Sequence, residues 1–134
     1  MKYLLDTNTC IRHLNQRSAA ITQRLGAISE AEIVLCSVVK AELYTGAMKS
    51  QTPEQTFAKQ RAFTERYASL PFDDDAALVY GRIRAMLEKA GTPIGPNDLM
   101  IAAIALANDL ILVTSNTREF SRIAELQLED WQVD

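Results

Sequence analysis

Tyr3-Leu4-Leu5-Asp6-Thr7-Asn8 sets the reading of the whole chain. A short apolar run stops abruptly at an acid and two turn-forming polar residues, which reads as a buried strand over 2–6 ending in a turn. Thr7 or Asn8 can then cap a short helix to about Asn15. Ser18 caps a second, with Ala19, Ile21, Leu25 and Ile28 on its apolar side. A second run, Glu32-Ile33-Val34-Leu35-Cys36, leads into Ser37 and a helix to about Met48. Thr52 with Gln55 fits a capping box for a further helix to about Ala68, with Pro53 at its first position.

The same alternation continues to the end. Leu70-Pro71-Phe72 reads as an edge strand, because proline is tolerated there. Asp73 or Asp74 starts a helix on which Leu78-Val79, Ile83, Met86-Leu87 and Ala90 recur at helical spacing. Gly91-Thr92-Pro93-Ile94-Gly95-Pro96 forms a loop. A helix over 97–108, a strand over 110–114, a turn at 115–119 and a last strand near Leu126-Gln127-Leu128 complete the order. Strands alternating with helices predict an α/β fold with a parallel sheet covered on both faces, whose ligands gather beyond the carboxyl ends of the strands.

Four acids sit where that edge should lie. Asp6 closes the first strand and Glu119 follows the strand Leu110-Ile111-Leu112-Val113-Thr114. Glu42 falls among Val38, Val39, Leu43 and Gly46 on an apolar helical stripe, and Asp98 heads the stripe Ile101-Ala102-Ala105-Leu106. Each has an ordinary reading as well: Asp6 as a turn or cap, Glu42 in a salt bridge to an arginine, Asp98 as a favourable first-turn charge, Asn116 and Glu119 as capping residues. Taken together they need a shared explanation. Two carboxylates about 4 Å apart repel by about 4 kcal/mol at an effective dielectric near 20. An all-oxygen cluster that must hold several negative charges suits Mg²⁺ or Mn²⁺, whose chemistry serves phosphodiester cleavage.

Composition narrows the choice. With 134 residues, 48% of them hydrophobic and 23% charged, the chain has the size and make-up of one globular domain, expected to span 1–134. A net charge of −3 argues against a strongly basic nucleic-acid binder. The basic residues gather locally instead, as Arg12, Arg17 and Arg24, as Lys40, Lys49, Lys59 and Arg61, and as Arg82, Arg84 and Lys89. No apolar run is long enough for a membrane span, and no secretory leader is evident, so a cytoplasmic location is expected. Cys10 and Cys36 are expected as free thiols, and the lone His13 as a surface or helix-packing residue. One histidine supports neither a Ser-His nor a Cys-His mechanism.

The chain resembles the PIN-domain ribonucleases, most closely the VapC-type toxins of bacterial toxin–antitoxin pairs. The resemblance is carried by Tyr3 through Asn8, by Ser37-Val38-Val39-Lys40-Ala41-Glu42-Leu43-Tyr44-Thr45-Gly46-Ala47, and by the stretch from Gly91 through Asn97-Asp98-Leu99 to Ala103. Leu112 through Phe120 and Leu128-Glu129-Asp130-Trp131 extend it. It implies a PIN-like three-layer α/β/α sandwich and a Mg²⁺-dependent endoribonuclease that acts on a structured RNA such as tRNA. Asp6, Glu42 and Asp98 would bind the metal. Many relatives carry an aspartate where this chain has Asn116, so Asn116 is a candidate ligand without charge and Glu119 a candidate source of the missing carboxylate. Asn8 and Thr114 are candidates for orienting water or ligands.

The resemblance also implies partners. An antitoxin would wrap the toxin and obstruct its site, often with an arginine, and DNA would be bound only through that antitoxin. A homodimer is expected, with Leu14, Ile21, Leu25, Phe57, Phe63 and Tyr67 as candidates for exposed apolar surface. Two rivals stand beside this reading. One is a non-catalytic module whose acidic pocket docks a partner's arginine within a DNA-binding complex. The other is a haloacid-dehalogenase-like phosphatase, suggested by Asp6-Thr7-Asn8-Thr9, although Asn8 cannot donate the proton that such an enzyme needs.

Overall fold

A computed structural model describes residues 1–132. Among these residues five parallel strands form one sheet: β1 (Tyr3–Leu5), β2 (Ile33–Cys36), β3 (Ala68–Leu70), β4 (Ile111–Val113) and β5 (Leu128–Glu129). Their spatial order is β3-β2-β1-β4-β5. Tyr3 pairs with Ile33 on one side and Ile111 on the other, so the opening strand is the central one. Every residue of β1 and β2 is buried, which requires cover on both faces of the sheet. Among the described residues seven α-helices supply that cover: α1 (Thr7–Leu14), α2 (Ala19–Ala27), α3 (Ser37–Lys49), α4 (Pro53–Thr64), α5 (Asp74–Lys89), α6 (Pro96–Ala107) and α7 (Thr117–Phe120). The result is the α/β/α sandwich expected from the sequence.

Topology fixes where a site can form. From β1 the chain steps outward through β2 to β3, then crosses back to place β4 and β5 on the other side of β1. The order therefore reverses between β1 and β4, the switch point at which α/β sheets open a crevice beyond their carboxyl ends. Asp6 and Thr114, the residues directly after β1 and β4, stand at that crevice, and the Asp6 N–H donates to the Val113 carbonyl at 3.0 Å.

Several local expectations shift. β3 lies at Ala68–Leu70 rather than 70–72, because Val34, Leu35 and Cys36 take Ala68, Ser69 and Leu70 as their register partners. α4 accordingly stops at Thr64, short of Ala68. The Thr52 and Gln55 capping box does not form: Thr52 is the cap residue, but its hydroxyl meets that of Thr56 instead of accepting from a backbone N–H of the first turn. The turn expected at 115–119 gives way to the helix α7 from Thr117 to Phe120, and the last strand is Leu128–Glu129 rather than 126–128. α1 is capped by Asp6, whose carboxylate accepts from the Thr9 N–H at 2.8 Å, rather than by Thr7 or Asn8. Ser18 and Asp73 cap α2 and α5 as read, accepting from the Ile21 and Ala76 N–H groups.

The core takes Ile21, Leu25, Phe63 and Tyr67 fully, so these leave the list of candidate exposed apolar residues. Cys10 and Cys36 are free and buried, and burial pushes both thiols upward from their ordinary range. His13 lies partly exposed between Thr22, at 2.9 Å from its Nδ1, and the Phe63 ring. No helix among the described residues is long and apolar enough to cross a membrane.

Candidate metal centre

Tight joints between strand and helix deliver two of the acids. Asp6 is the single residue between β1 and α1, so the strand end and the helix start fix its position jointly. It is 6% exposed, and its carboxylate receives hydrogen bonds from Thr9 and Thr114. Burial raises the Asp6 carboxyl above the usual range. Those hydrogen bonds oppose the rise, and the negative charge of Glu42 adds to it. Glu42 comes from α3, which starts directly after β2 with no intervening residue. Val38, Val39, Leu43 and Ala47 seat that helix in the core and leave Glu42 half-buried at its margin. Gly46, read from the sequence as a member of the apolar stripe, is exposed; Ala47 takes that place in the core.

α6 brings Asp98. Pro96 occupies its first turn, where a missing N–H costs nothing, and the buried side chains of Leu99 and of Ile101 through Ala105 anchor the helix. Asp98 is thereby held in the first turn, half-buried. Burial, and then the charges of Glu42, Glu119 and Asp6, push its carboxyl up to about 6. Four acids from four separate segments thus share one electrostatic environment, at the edge where the sheet order reverses.

Glu119 sits on α7, where Phe120 is buried as the anchor. The Asn116 amide donates to the Glu119 carboxylate at 3.0 Å, and the Asn116 N–H donates to the Thr114 hydroxyl, also at 3.0 Å. Thr114 is fully buried and links this turn to Asp6. Asn116 and Glu119, weighed from the sequence as alternatives for one role, form a bonded pair. Asn8 faces solvent on α1. Two residues passed over in the sequence take part instead. The Thr7 hydroxyl donates to Glu42 Oε1 at 2.5 Å, and the Asn97 amide lies 3.4 Å from Glu42 Oε2.

The donor set fits a hard divalent cation. Every group is an oxygen donor, and the ion pairs found among the described residues engage Glu30, Glu32, Glu65, Glu88, Glu125 and Glu129, none of the four site acids. The like charges that raise Asp98 are therefore not offset by a guanidinium or ammonium group. Among the described residues no three His, Cys, Asp or Glu side chains are gathered closely enough to hold a metal ion by themselves. Mg²⁺ itself keeps several waters and takes only one or two carboxylates directly.

Two hollows border Glu42. One, of about 220 Å³, is lined by Ile11, Leu14, Leu43, Gly46 and Gln60 as well as Glu42, between α1, α3 and α4. A more open one, of about 290 Å³, lies among Ala41, Thr45 and Asn97.

Comparison with known proteins agrees with this architecture. The PIN domain profile matches residues 3–126. The tRNA(fMet)-specific endonuclease VapC of Shigella flexneri is 42% identical over 131 residues, covering 98% of each chain. Ribonuclease VapC2 of Rickettsia felis is 39% identical over 132 residues, again with 98% of each covered. Among solved structures, DNA-bound VapBC from Salmonella typhimurium superposes with a TM-score of 0.93 at 40% identity, covering 98% of both chains.

Proposed function

The chain belongs to the PIN domain family, and from that premise we propose that it is a VapC-type toxin: a Mg²⁺-dependent endoribonuclease that cleaves a structured RNA, with tRNA(fMet) the first substrate to test. One observation carries the reading. Asp98 is pushed up to about 6 by burial and three neighbouring carboxylates, in a pocket whose acids have no cationic side chain among the described residues. A divalent cation resolves that repulsion, and Mn²⁺ has the same ligand preference.

Asp6, Glu42 and Asp98 would hold the cation, with Asn116 or Glu119 reaching it from the α7 side. When bound, such a cation polarises a phosphoryl oxygen and lowers the pKa of water. The protein's own groups do the rest. Asp6, locked by Thr9 and Thr114, provides a fixed anionic wall at the switch point. Asp98 and Glu119, close enough for the charge of Glu119 to raise the Asp98 carboxyl, would orient water or accept its proton. Thr114 couples the α7 turn to Asp6 through its hydroxyl.

The partner in this reading is a cognate antitoxin, which also brings any contact with DNA. The groove between α1, α3 and α4 includes Glu42 in its lining, so a segment laid in it reaches that acid directly. A homodimer and a single PIN-like domain belong to the same proposal. Light scattering on the isolated chain tests the dimer, and a monomer would remove it.

The test of activity uses purified chain and a tRNA(fMet) transcript with Mg²⁺, with EDTA, and with Asp98→Asn. Cleavage confined to the first condition is expected. Undiminished cleavage in the other two refutes the metal-dependent reading. Metal binding by calorimetry with no cleavage of any RNA favours a docking module instead.

A further inference from the structure

We infer that Thr7 and Asn97 are positioning residues that set the Glu42 carboxylate against Asp6 and Asp98 before a cation arrives; the inference rests on the nuclease reading above. Glu42 is the acid most in need of such help. Asp6 is fixed by its cap bond and by Thr114, whereas Glu42 extends from a helix margin on a longer side chain with more rotatable bonds to hold. Its two oxygens meet different donors: Oε1 takes the Thr7 hydroxyl at 2.5 Å and Oε2 faces the Asn97 amide at 3.4 Å.

The origin of those donors gives the contact its meaning. Thr7 directly follows Asp6, and Asn97 directly precedes Asp98. The neighbours of two acids therefore hold the third, across sequence separations of 35 and 55 residues. Since Asp6 already caps α1 through the Thr9 N–H, the Thr7 hydroxyl is spared from serving its own helix. It turns outward to α3.

The chemistry of the donors matters as much as their position. A lysine or arginine at either place would fix Glu42 equally well but would neutralise it and repel a divalent ion. A hydroxyl and an amide orient the carboxylate while leaving its charge, and each oxygen keeps lone pairs for a metal or a metal-bound water. Neither residue touches substrate in this assignment; both act through Glu42. The shorter bond makes Thr7 the stronger of the two.

The experiment titrates Mn²⁺ alone into the intact chain, without RNA, by calorimetry. It then measures kcat and KM on the tRNA(fMet) transcript and the melting temperature in EDTA. Variants are Thr7→Val, which keeps the shape without the donor, Thr7→Ser, Asn97→Ala, and Glu42→Gln as the reference for losing the ligand. Thr7→Val is expected to weaken Mn²⁺ binding by about 10-fold to 100-fold and to lower kcat with KM little changed, and Asn97→Ala to act in the same direction by about 10-fold or less. Thr7→Ser restores both readouts, and the metal-free melting temperature stays near that of the parent in all three.

Wild-type Mn²⁺ affinity in Thr7→Val, with affinity lost in Glu42→Gln, overturns the positioning role alone. A lower metal-free melting temperature with unchanged affinity overturns it too, since Thr7 is then structural. Wild-type affinity and cleavage in Glu42→Gln instead overturn the reading of the site itself.

Discussion

Asp98 holds in the fold a carboxyl that titrates near 6 rather than 3.8, chiefly from burial and then from three like charges. Between those values the folded chain keeps a proton that the unfolded chain releases, so without metal the contribution of Asp98 to stability falls as pH rises through this window. Asp98→Asn removes the penalty. In EDTA the variant is expected to be more stable than the parent above pH 6, by about 1 kcal/mol once solvent screening of a half-buried group is allowed for, and level with it near pH 4. Urea unfolding at the two pH values measures this. A variant no more stable than the parent at pH 7.5 would show that neither burial nor the neighbouring acids penalise the Asp98 charge. Asp98 was legible from its place at the head of an apolar helix. Thr7 and Asn97 were not, because a hydrogen bond across 35 or 55 residues leaves no local pattern. Asn8 belongs to the same Asp-Thr-Asn run, yet one position along α1 turns its side chain to solvent.

Among the elements, α1 exposes a division of labour within one side chain. Asp6 accepts from the Thr9 N–H as a cap and also presents its charge at the switch point. The two roles separate by substitution. Asp6→Asn keeps an oxygen acceptor, so it should retain stability within a few tenths of a kcal/mol while losing metal binding. Asp6→Ala loses both, with about 1 kcal/mol of stability, as thermal unfolding will report. Equal stability of the two would remove the cap from the account. A second test lies in the loop before α6, where Gly91 has a φ of +73° and an added Cβ would meet no atom within 4 Å. Gly91→Ala should therefore cost about 1 kcal/mol through backbone conformation alone, without altering Mn²⁺ affinity. The sequence placed the helices well wherever a cap or a proline marked a start, as at Ser18, Pro53 and Asp73. It misplaced β3 because its position follows from pairing with β2, and it missed α7 because four residues are too few to show a helical period.

For the molecule as a whole, the parallel sheet brings acids from distant segments to one edge. A cation that binds only the folded form should then stabilise the whole chain: Mg²⁺ at 100 times its dissociation constant adds about 2.7 kcal/mol, and EDTA removes it. A melting temperature indifferent to Mg²⁺ in the parent would contradict a folded-state metal site. The architecture was legible early because fully apolar short runs alternated with amphipathic ones, which is the pattern of strands covered on both faces. The groove beside Glu42 was not, since it depends on how α1, α3 and α4 lean together and on an exposed Gly46 that the apolar pattern had assigned to the core.

The two interior thiols have a practical consequence. Cys10 and Cys36 are shielded, and burial keeps them protonated, so a maleimide dye finds no native target while the chain stays folded. A single cysteine introduced at exposed Gln127, just before β5 and so on the rim opposite the acids, can be labelled selectively. Fluorophore-bearing protein would then report whether the proposed antitoxin and RNA bind, from a vantage that leaves the acidic edge unencumbered.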